Sequence, residues 1–243
     1  MKKLIFLVLV LSSCAPIYVP NVRNSPMFTK GGEFQGTIQV GNGLELQSAV
    51  SVSNHIGLMG NYTYINRENL DPDDPEDYHH HKFWEGGIGY FQNDDGMFFE
   101  IFAGYGKGKG SSYGQYYLFS DNELSTGKYE RYFLQPAFGF NKKIMNVAFV
   151  PRLSFVDFSE FSRDGVAYEV SEDPRMFFEP AVIGRVNMAN NNFYFTFQAG
   201  TSISTSGSNY FDHRPFQLST GIGFRIGGVK PEKTKRKEQS QDL

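Results

Sequence analysis

Residues 33–40 read Glu33-Phe34-Gln35-Gly36-Thr37-Ile38-Gln39-Val40. Even positions are apolar or glycine and odd positions are polar, which is the period-2 alternation of a β-strand with two unlike faces. The same alternation recurs in nine further stretches: 44–53, 56–64, 84–90, 97–105, 132–140, 147–155, 178–186, 193–203 and 216–226. Ten strands within residues 33–227 leave about 20 residues for each strand with its connection, too few for helices between strands. The sequence therefore predicts an all-β, antiparallel fold.

The connections between these strands alternate in length. Short connections fall at 53–55, 92–96, 141–143 and 187–192, whereas long connections fall at 66–81, 108–127, 158–175 and 204–213. The exception is the tight turn Gly41-Asn42-Gly43 between the first two strands. An up-and-down barrel with an even number of strands places every second connection on one end. We therefore predict an up-and-down β-barrel of about ten strands, within a range of eight to twelve, with both chain ends on the short-turn side.

The residue types on the polar faces favour a membrane over water. These positions carry mostly Gln, Ser, Thr, Asn and Gly with almost no lysine, which suits a narrow lumen better than a solvent-exposed surface. Tyr62, Tyr64, Tyr105 and Tyr132 lie at the ends of the apolar stripes, where an interfacial aromatic belt is expected. After the amino end no apolar run approaches the ~18 residues of a membrane helix, so a closed barrel is the remaining way to span. We predict a membrane-embedded barrel.

The N-terminal residues follow the order of a secretory signal, with charged residues first, then an apolar run and then small residues. Lys2 and Lys3 precede the apolar run Leu4–Leu11, and Ser12, Ser13 and Cys14 follow. We expect residues 1–13 to be a signal peptide and 14–32, which are rich in Pro and Asn, to be a linker. The tail 228–243 is charged and free of aromatics. It is expected to be a disordered periplasmic extension able to contact an anionic envelope polymer.

The segment Leu11-Ser12-Ser13-Cys14 resembles a bacterial lipobox. Residues 33–227 add the period-2 alternation of strands and the alternation of short and long connections. In these features together the chain resembles small lipobox-bearing outer-membrane β-barrel proteins of Gram-negative bacteria. The resemblance implies lipidation of Cys14, a linker that carries the lipid, contact with membrane lipid, long loops facing outward and periplasmic termini. A chance cysteine near an ordinary cleavage site is the alternative. The chain departs from many such barrels because Phe224 is followed by Arg225 and a charged tail instead of ending on an aromatic residue.

Ionisable residues on the polar faces form the main candidate site. Buried charges in a narrow lumen must pair, because each unpaired charge costs several kcal/mol. We predict an Arg/Glu network that fills the lumen, with Arg152 and Glu179 at mid-height on adjacent strands; solvated charges lining an open pore are the alternative. The predicted members are Glu85, Glu100, Arg131, Arg152, Glu179, Arg185 and Arg225. Chain direction places Glu100, Arg185 and Arg225 near the periplasmic end.

Three prolines fall inside predicted strands. Pro136, Pro151 and Pro180 interrupt three successive apolar stripes. Proline cannot donate to the ladder and a closed barrel has no edge strand. Bulges or missing ladder bonds are therefore expected at these positions.

The connection between the third and fourth strands is strongly acidic and ends in three histidines, His79 to His81. Its carboxylates are Asp71, Asp73, Asp74, Glu76 and Asp77. Neither the spacing of a calcium-binding EF-hand nor a helical histidine pair is present, so we expect a solvated external loop without a metal, and no cofactor. The pI of about 6.0 and the net charge of −3 exclude a nucleic-acid-binding surface.

Three functional hypotheses remain at this point. The leading one is a non-enzymatic structural or surface-interaction protein of the outer membrane with a filled lumen. The second is a lipid-anchored soluble barrel whose aromatic stripes line a cavity for an apolar ligand. The third is an outer-membrane hydrolase using His213, with Ser206, Ser208 and Asp212 nearby in sequence. No G-x-S-x-G motif supports the hydrolase.

Overall fold

The computed structural model describes residues 16–68, 78–115, 122–170, 173–188, 192–205 and 211–227. Within them are ten long strands, numbered here in chain order. They are β1 (Phe34–Val40), β2 (Leu44–Ser51), β3 (Ile56–Glu68), β4 (Tyr78–Asp94), β5 (Met97–Gln115), β6 (Asn122–Asn141), β7 (Met145–Arg163), β8 (Arg175–Met188), β9 (Phe193–Thr201) and β10 (Phe216–Ile226). Two further strands of two residues, Val166–Ala167 and Ile203–Ser204, pair with β7 and β8.

Every long strand pairs antiparallel with its neighbours in sequence, and β1 pairs with β10 to close the barrel. In the closing ladder Phe34 lies opposite Ile226 and Val40 lies opposite Thr220. This confirms the predicted antiparallel, up-and-down barrel of ten strands. We call the end with the β3–β4, β5–β6, β7–β8 and β9–β10 connections the long-loop end, and the opposite end the turn end.

The two faces of the barrel wall are inverted relative to a water-soluble protein. Apolar side chains point outward, such as Ile38 at 52% and Ile88 at 58% exposure, whereas Gln35, Glu85 and Arg152 point inward and are buried. An apolar exterior around a polar interior is the arrangement of a barrel that lies in lipid. Within the described residues, no helix is both long and apolar enough to cross a bilayer. The apolar exterior is the observation that indicates a membrane-embedded barrel.

Four strands continue further toward the long-loop end than the sequence predicted. β4 begins at Tyr78 instead of residue 84, and β5 to β7 extend their hairpins as far as Gln115, Asn122 and Arg163. Glycine, serine and lysine occupy much of the β5 extension, and aromatic residues of the other extensions, such as Phe83, Tyr129 and Phe158, point inward. The outward apolar stripe used for the prediction therefore does not continue there. As a result His79, His80 and His81, expected in a loop, lie in β4, where His79 and His81 point inward.

The three prolines occupy one row on the outer face. Ladder pairing between β6 and β7 stops after Leu134↔Leu153 and resumes at Phe138↔Phe149 in the same register, so the bonds around Pro136 are missing, as expected. Pro151 and Pro180, in contrast, remain opposite each other in the β7–β8 ladder. The β6–β7 ladder does shift register, but between Lys128 and Tyr129 and not at a proline.

The segment before β1 does not form the predicted linker. Residues 16–28 are all buried and run through the lumen of the barrel. The chain leaves the lumen at residues 29–32 and enters β1 through Gly32, whose φ of +79° favours glycine. We call residues 16–28 the plug.

Candidate functional site

The centre of the lumen holds a cluster of charges from the plug and four strands. We call Arg23, Glu85, Arg131, Arg152 and Glu179 the central cluster. Arg131 donates from Nη2 to Glu85 Oε2, and Arg152 donates from Nε to Glu179 Oε2 at 2.8 Å. These four strand side chains have no solvent-exposed surface. Strong mutual pairing is what permits such charges to be buried.

Asn21 of the plug joins the two ion pairs. Its Nδ2 donates to Glu85 Oε1 at 2.6 Å. Its Oδ1 accepts from Arg131 Nη2 at 2.7 Å and from Arg152 Nη1 at 2.9 Å. A short amide can both donate and accept, so this one residue satisfies groups of opposite charge.

Arg23 of the plug is the third guanidinium of the central cluster. It donates from Nη1 to Gln217 Oε1 at 2.5 Å and from Nε to the Glu179 carbonyl at 3.2 Å. Its backbone is held as well, because Arg23 N donates to Gln198 Oε1 at 2.9 Å. Three arginines and two glutamates give the central cluster a net charge of +1.

The other predicted charges lie nearer the turn end, where Glu100 and Arg185 bind the plug and Arg225 lies near Glu33. Glu100 accepts from Met27 N at 3.0 Å and from the Ser25 hydroxyl. Arg185 donates to the carbonyls of Ser25 at 2.7 Å and Pro26 at 2.8 Å. Arg225 lies 3.9 Å from a Glu33 carboxylate oxygen. The seven predicted residues thus form two groups: Glu85, Arg131, Arg152 and Glu179 in the central cluster, and Glu100, Arg185 and Arg225 below it.

Apolar side chains cover the charged centre on both sides. Toward the long-loop end, Ile17 and Tyr18 of the plug pack in a buried cluster with Phe83, Tyr129, Val156, Phe158, Phe161, Phe177 and Phe211. Toward the turn end, Phe28 of the plug packs with Ala49, Met59, Phe91, Phe102 and Phe133, and Met27 packs with Phe98, Ala137, Ala148, Val150 and Ile183. The central cluster therefore lies between two apolar layers, and Glu100 lies at the height of the turn-end layer, opposite Ala137.

This arrangement does not provide the cavity that the soluble-barrel hypothesis needs. The aromatic stripes of that hypothesis face outward, and the plug occupies the space they were expected to enclose. A cavity of about 570 Å³ does lie at the long-loop rim, lined by residues that include His80, Lys82, Lys109 and Tyr168. It is a rim feature and is separate from the central cluster.

His213 is positioned as a packing residue. Its Nε2 lies 3.2 Å from the Ser202 carbonyl, and its ring packs on Phe177 with centroids 5.0 Å apart. Burial lowers the pKa of His213 from its ordinary value. Ser206 and Ser208, the serines considered for a hydrolase, lie outside the described residues.

Several predicted features fall outside the described part of the chain. These are Cys14, the tail beyond Gly227, and the acidic residues Asp71, Asp73, Asp74, Glu76 and Asp77. Among the residues that the structure does describe, no group of three or more His, Cys, Asp or Glu side chains is arranged to hold a metal ion.

Sequence reasoning missed the plug half of this site. Asn21 and Arg23 lie in a stretch interpreted as a linker because of its prolines and asparagines. The signal against that interpretation was the apolar content of the same stretch, with Ile17, Tyr18, Val19, Val22, Met27 and Phe28. Six apolar residues among thirteen are unusual for a solvated linker and typical of a segment that packs.

Comparisons with known proteins give only remote similarities. No family model and no curated protein matches the chain. Among solved structures, the translocator domain of autotransporter NalP from Neisseria meningitidis is similar with 10% identity and a TM-score of 0.47, covering 80% of this chain and 86% of that one. The beta domain of the Bordetella autotransporter Brka is similar with 12% identity and a TM-score of 0.34, covering 81% of this chain and 100% of that one.

The fold assignment follows from the coordinates of the chain itself. A closed antiparallel barrel with a lipid-facing exterior leaves no open strand edge, which is how strands cross an outer membrane. The protein is an outer-membrane β-barrel with ten strands.

Proposed function

We propose that the protein is a closed outer-membrane lipoprotein, sealed by its own N-terminal segment, with a non-enzymatic structural or surface-interaction role carried by its long loops. The observation that carries the proposal is the plug, which is buried along its whole length and bonded to the wall. A barrel whose described lumen is filled in this way is expected to have neither a water-filled passage nor an interior ligand site.

Support for a permanent seal comes from the distribution of the plug contacts around the wall. Side chains from β2 to β10 bond to the plug, so it is held on nearly every side. The strand partners are Glu45, Gln47, Asn61, Glu85, Glu100, Arg131, Gln135, Arg152, Glu179, Arg185, Gln198 and Gln217. Moving the plug would leave many of these buried polar groups without partners, at about 1–3 kcal/mol each.

The lipid anchor is supported by the sequence alone. Leu11-Ser12-Ser13-Cys14 has the lipobox-like order, and Cys14 is the single cysteine of the chain. An acyl group at Cys14 would add a second attachment to a protein that already lies in the bilayer.

Single-channel recording in planar bilayers tests the seal. The wild-type protein is expected to insert without ionic current. A variant lacking residues 16–28 is expected to conduct if it folds, which heat-modifiable gel mobility checks. If the deletion does not fold, the double variant Asn21→Ala, Arg23→Ala loosens the plug from the central cluster while every strand residue is kept. Steady current through the wild-type barrel would overturn the seal.

Replacing Cys14 by Ser behind a standard cleavable signal tests the anchor. Mass spectrometry of the wild-type protein is expected to show an acyl modification that the variant lacks. The variant is still expected to need detergent for extraction, because the strands hold it in the bilayer. An unmodified wild-type Cys14 would overturn the lipoprotein proposal, and release of the variant as a soluble monomer would favour the tethered soluble barrel instead.

A further inference from the structure

We infer that the plug enters the barrel at the long-loop end, so that Pro16 and Gly227, the first and last described residues, lie toward opposite faces of the membrane. The sequence predicted both ends on the turn side, since an even number of strands returns the chain to the end where it started. That prediction is wrong for the start of the described chain because the plug adds one further crossing through the lumen.

Contacts at the start of the plug fix it at the long-loop end. Tyr18 N donates to the Asp212 carbonyl at 3.0 Å, and Arg214 N donates to the Tyr18 carbonyl at 3.0 Å. Residues 211–215 directly precede β10, in the connection from β9. Tyr18 also forms a parallel bridge with His213 in this connection.

Contacts at the end of the plug fix it at the turn end. Asn141 Nδ2, at the β6–β7 turn, donates to the Met27 carbonyl at 3.1 Å. Phe28 packs on Phe91 near the β4–β5 turn, with ring centroids 5.1 Å apart. Just after the plug, Gly31 N donates to Asn54 Oδ1 in the β2–β3 turn at 2.9 Å.

The length of the plug agrees with a full crossing. Thirteen residues in an extended conformation reach about 40 Å, whereas the hydrocarbon core of a bilayer is about 30 Å thick. A return path toward the turn end would have to share the lumen with the plug and with both apolar layers. The plug therefore starts at the long-loop end, while β10 ends at the turn end.

This topology gives a consequence that rests on the proposed lipoprotein function. Cys14 lies outside the described residues, but two residues of chain tie it to within about 7 Å of Pro16. Outer-membrane barrels place their long loops outside the cell. An acyl group on Cys14 would then insert into the outer leaflet, and the basic tail after Gly227 would lie on the periplasmic face.

Single-cysteine labelling on intact cells tests the topology. In a Cys14→Ser background behind a cleavable signal, Ala15→Cys reports the chain before the plug and Lys230→Cys reports the chain after β10. Val166→Cys, in the hairpin after β7, and Ile144→Cys, in the β6–β7 turn, mark the long-loop and turn faces, and their side chains are 64% and 73% exposed in the wild-type barrel. Heat-modifiable mobility checks that each variant folds.

The expected pattern with a membrane-impermeant maleimide is labelling of Ala15→Cys and Val166→Cys on intact cells. Lys230→Cys and Ile144→Cys are expected to label at least tenfold less until the outer membrane is permeabilised. The inference is overturned if Ala15→Cys is labelled only after permeabilisation, as is expected for Ile144→Cys, or is not labelled from either face. Because this background has no Cys14, the result is independent of lipidation, and failure of the lipoprotein proposal would be seen separately by mass spectrometry.

Discussion

Replacing Glu179 by Gln should strongly destabilise the barrel, because this carboxylate balances the arginines of the central cluster. Its Oε2 accepts from Arg152 Nε at 2.8 Å and from Ser154 Oγ at 2.7 Å. Its Oε1 accepts from Tyr18 Oη of the plug at 2.8 Å. Glutamine keeps the shape of the side chain but removes the charge, so the net charge of the buried central cluster rises from +1 to +2.

The expected loss follows from the burial of the pair. Removing one partner of a fully buried ion pair costs about 3–5 kcal/mol, since the remaining charge stays desolvated. That corresponds to about 10²- to 10⁴-fold in the folding equilibrium constant. The exposed pair between Lys128 and Glu160, 2.9 Å apart, provides the matched control. Glu160→Gln should cost about 1 kcal/mol or less because solvent screens it.

The assay is urea unfolding in lipid vesicles, followed by tryptophan fluorescence and heat-modifiable mobility. Arg152→Gln combined with Glu179→Gln restores the net charge of +1, so the double variant should be less destabilised than the sum of the two single variants. A Glu179→Gln loss as small as that of Glu160→Gln, or strict additivity in the double variant, would refute a central cluster held by charge balance.

Two further predictions concern close packing of the wall and pH. Gly104→Ala should destabilise the barrel by about 1–3 kcal/mol, since its Cβ would overlap the Gly86 carbonyl and the Phe133 ring. In the control Gly86→Ala the new Cβ would lie 3.8 Å from the nearest described heavy atom, so this variant should be neutral or slightly stabilising. Equal unfolding midpoints for the two variants would contradict this prediction. Burial lowers the pKa of His213, so the unfolded chain binds its proton more tightly and this contribution to stability should rise with pH up to about 6.5 and then level off. His213→Gln should reduce the slope of the unfolding free energy against pH between pH 5 and 8. An unchanged slope would show that His213 does not contribute.

The barrel wall could be predicted because its physical signal is local. In β1, Phe34, Ile38 and Val40 face lipid, whereas Gln35 and Gln39 face the lumen. Apolar and polar residues must therefore alternate along the strand, and this alternation is visible in the sequence. The pairing of Arg152 with Glu179 followed from the same logic, because register places residues at equal height on adjacent strands.

The plug could not be predicted by that logic, because nothing periodic marks a segment that crosses a lumen once. Asn21 and Arg23 form hydrogen bonds with side chains more than 60 residues away in sequence, such as Glu85 and Gln217. The long-loop extensions of β4 to β7 were missed for a related reason. Phe83, Tyr129 and Phe158 point inward there, so the outward apolar stripe that marks the membrane-facing strands does not continue into the extensions.

Amide hydrogen exchange over residues 17–28 of the folded, membrane-inserted protein tests directly whether the plug is held in the lumen. Four plug amides are bonded inside the barrel, those of Tyr18, Val22, Arg23 and Met27. A plug held in the lumen predicts exchange as slow as in the strands of the wall, with opening only on global unfolding. Exchange of this segment at the rate of an unstructured peptide, while the strands stay protected, would contradict a barrel sealed by its own N-terminal segment.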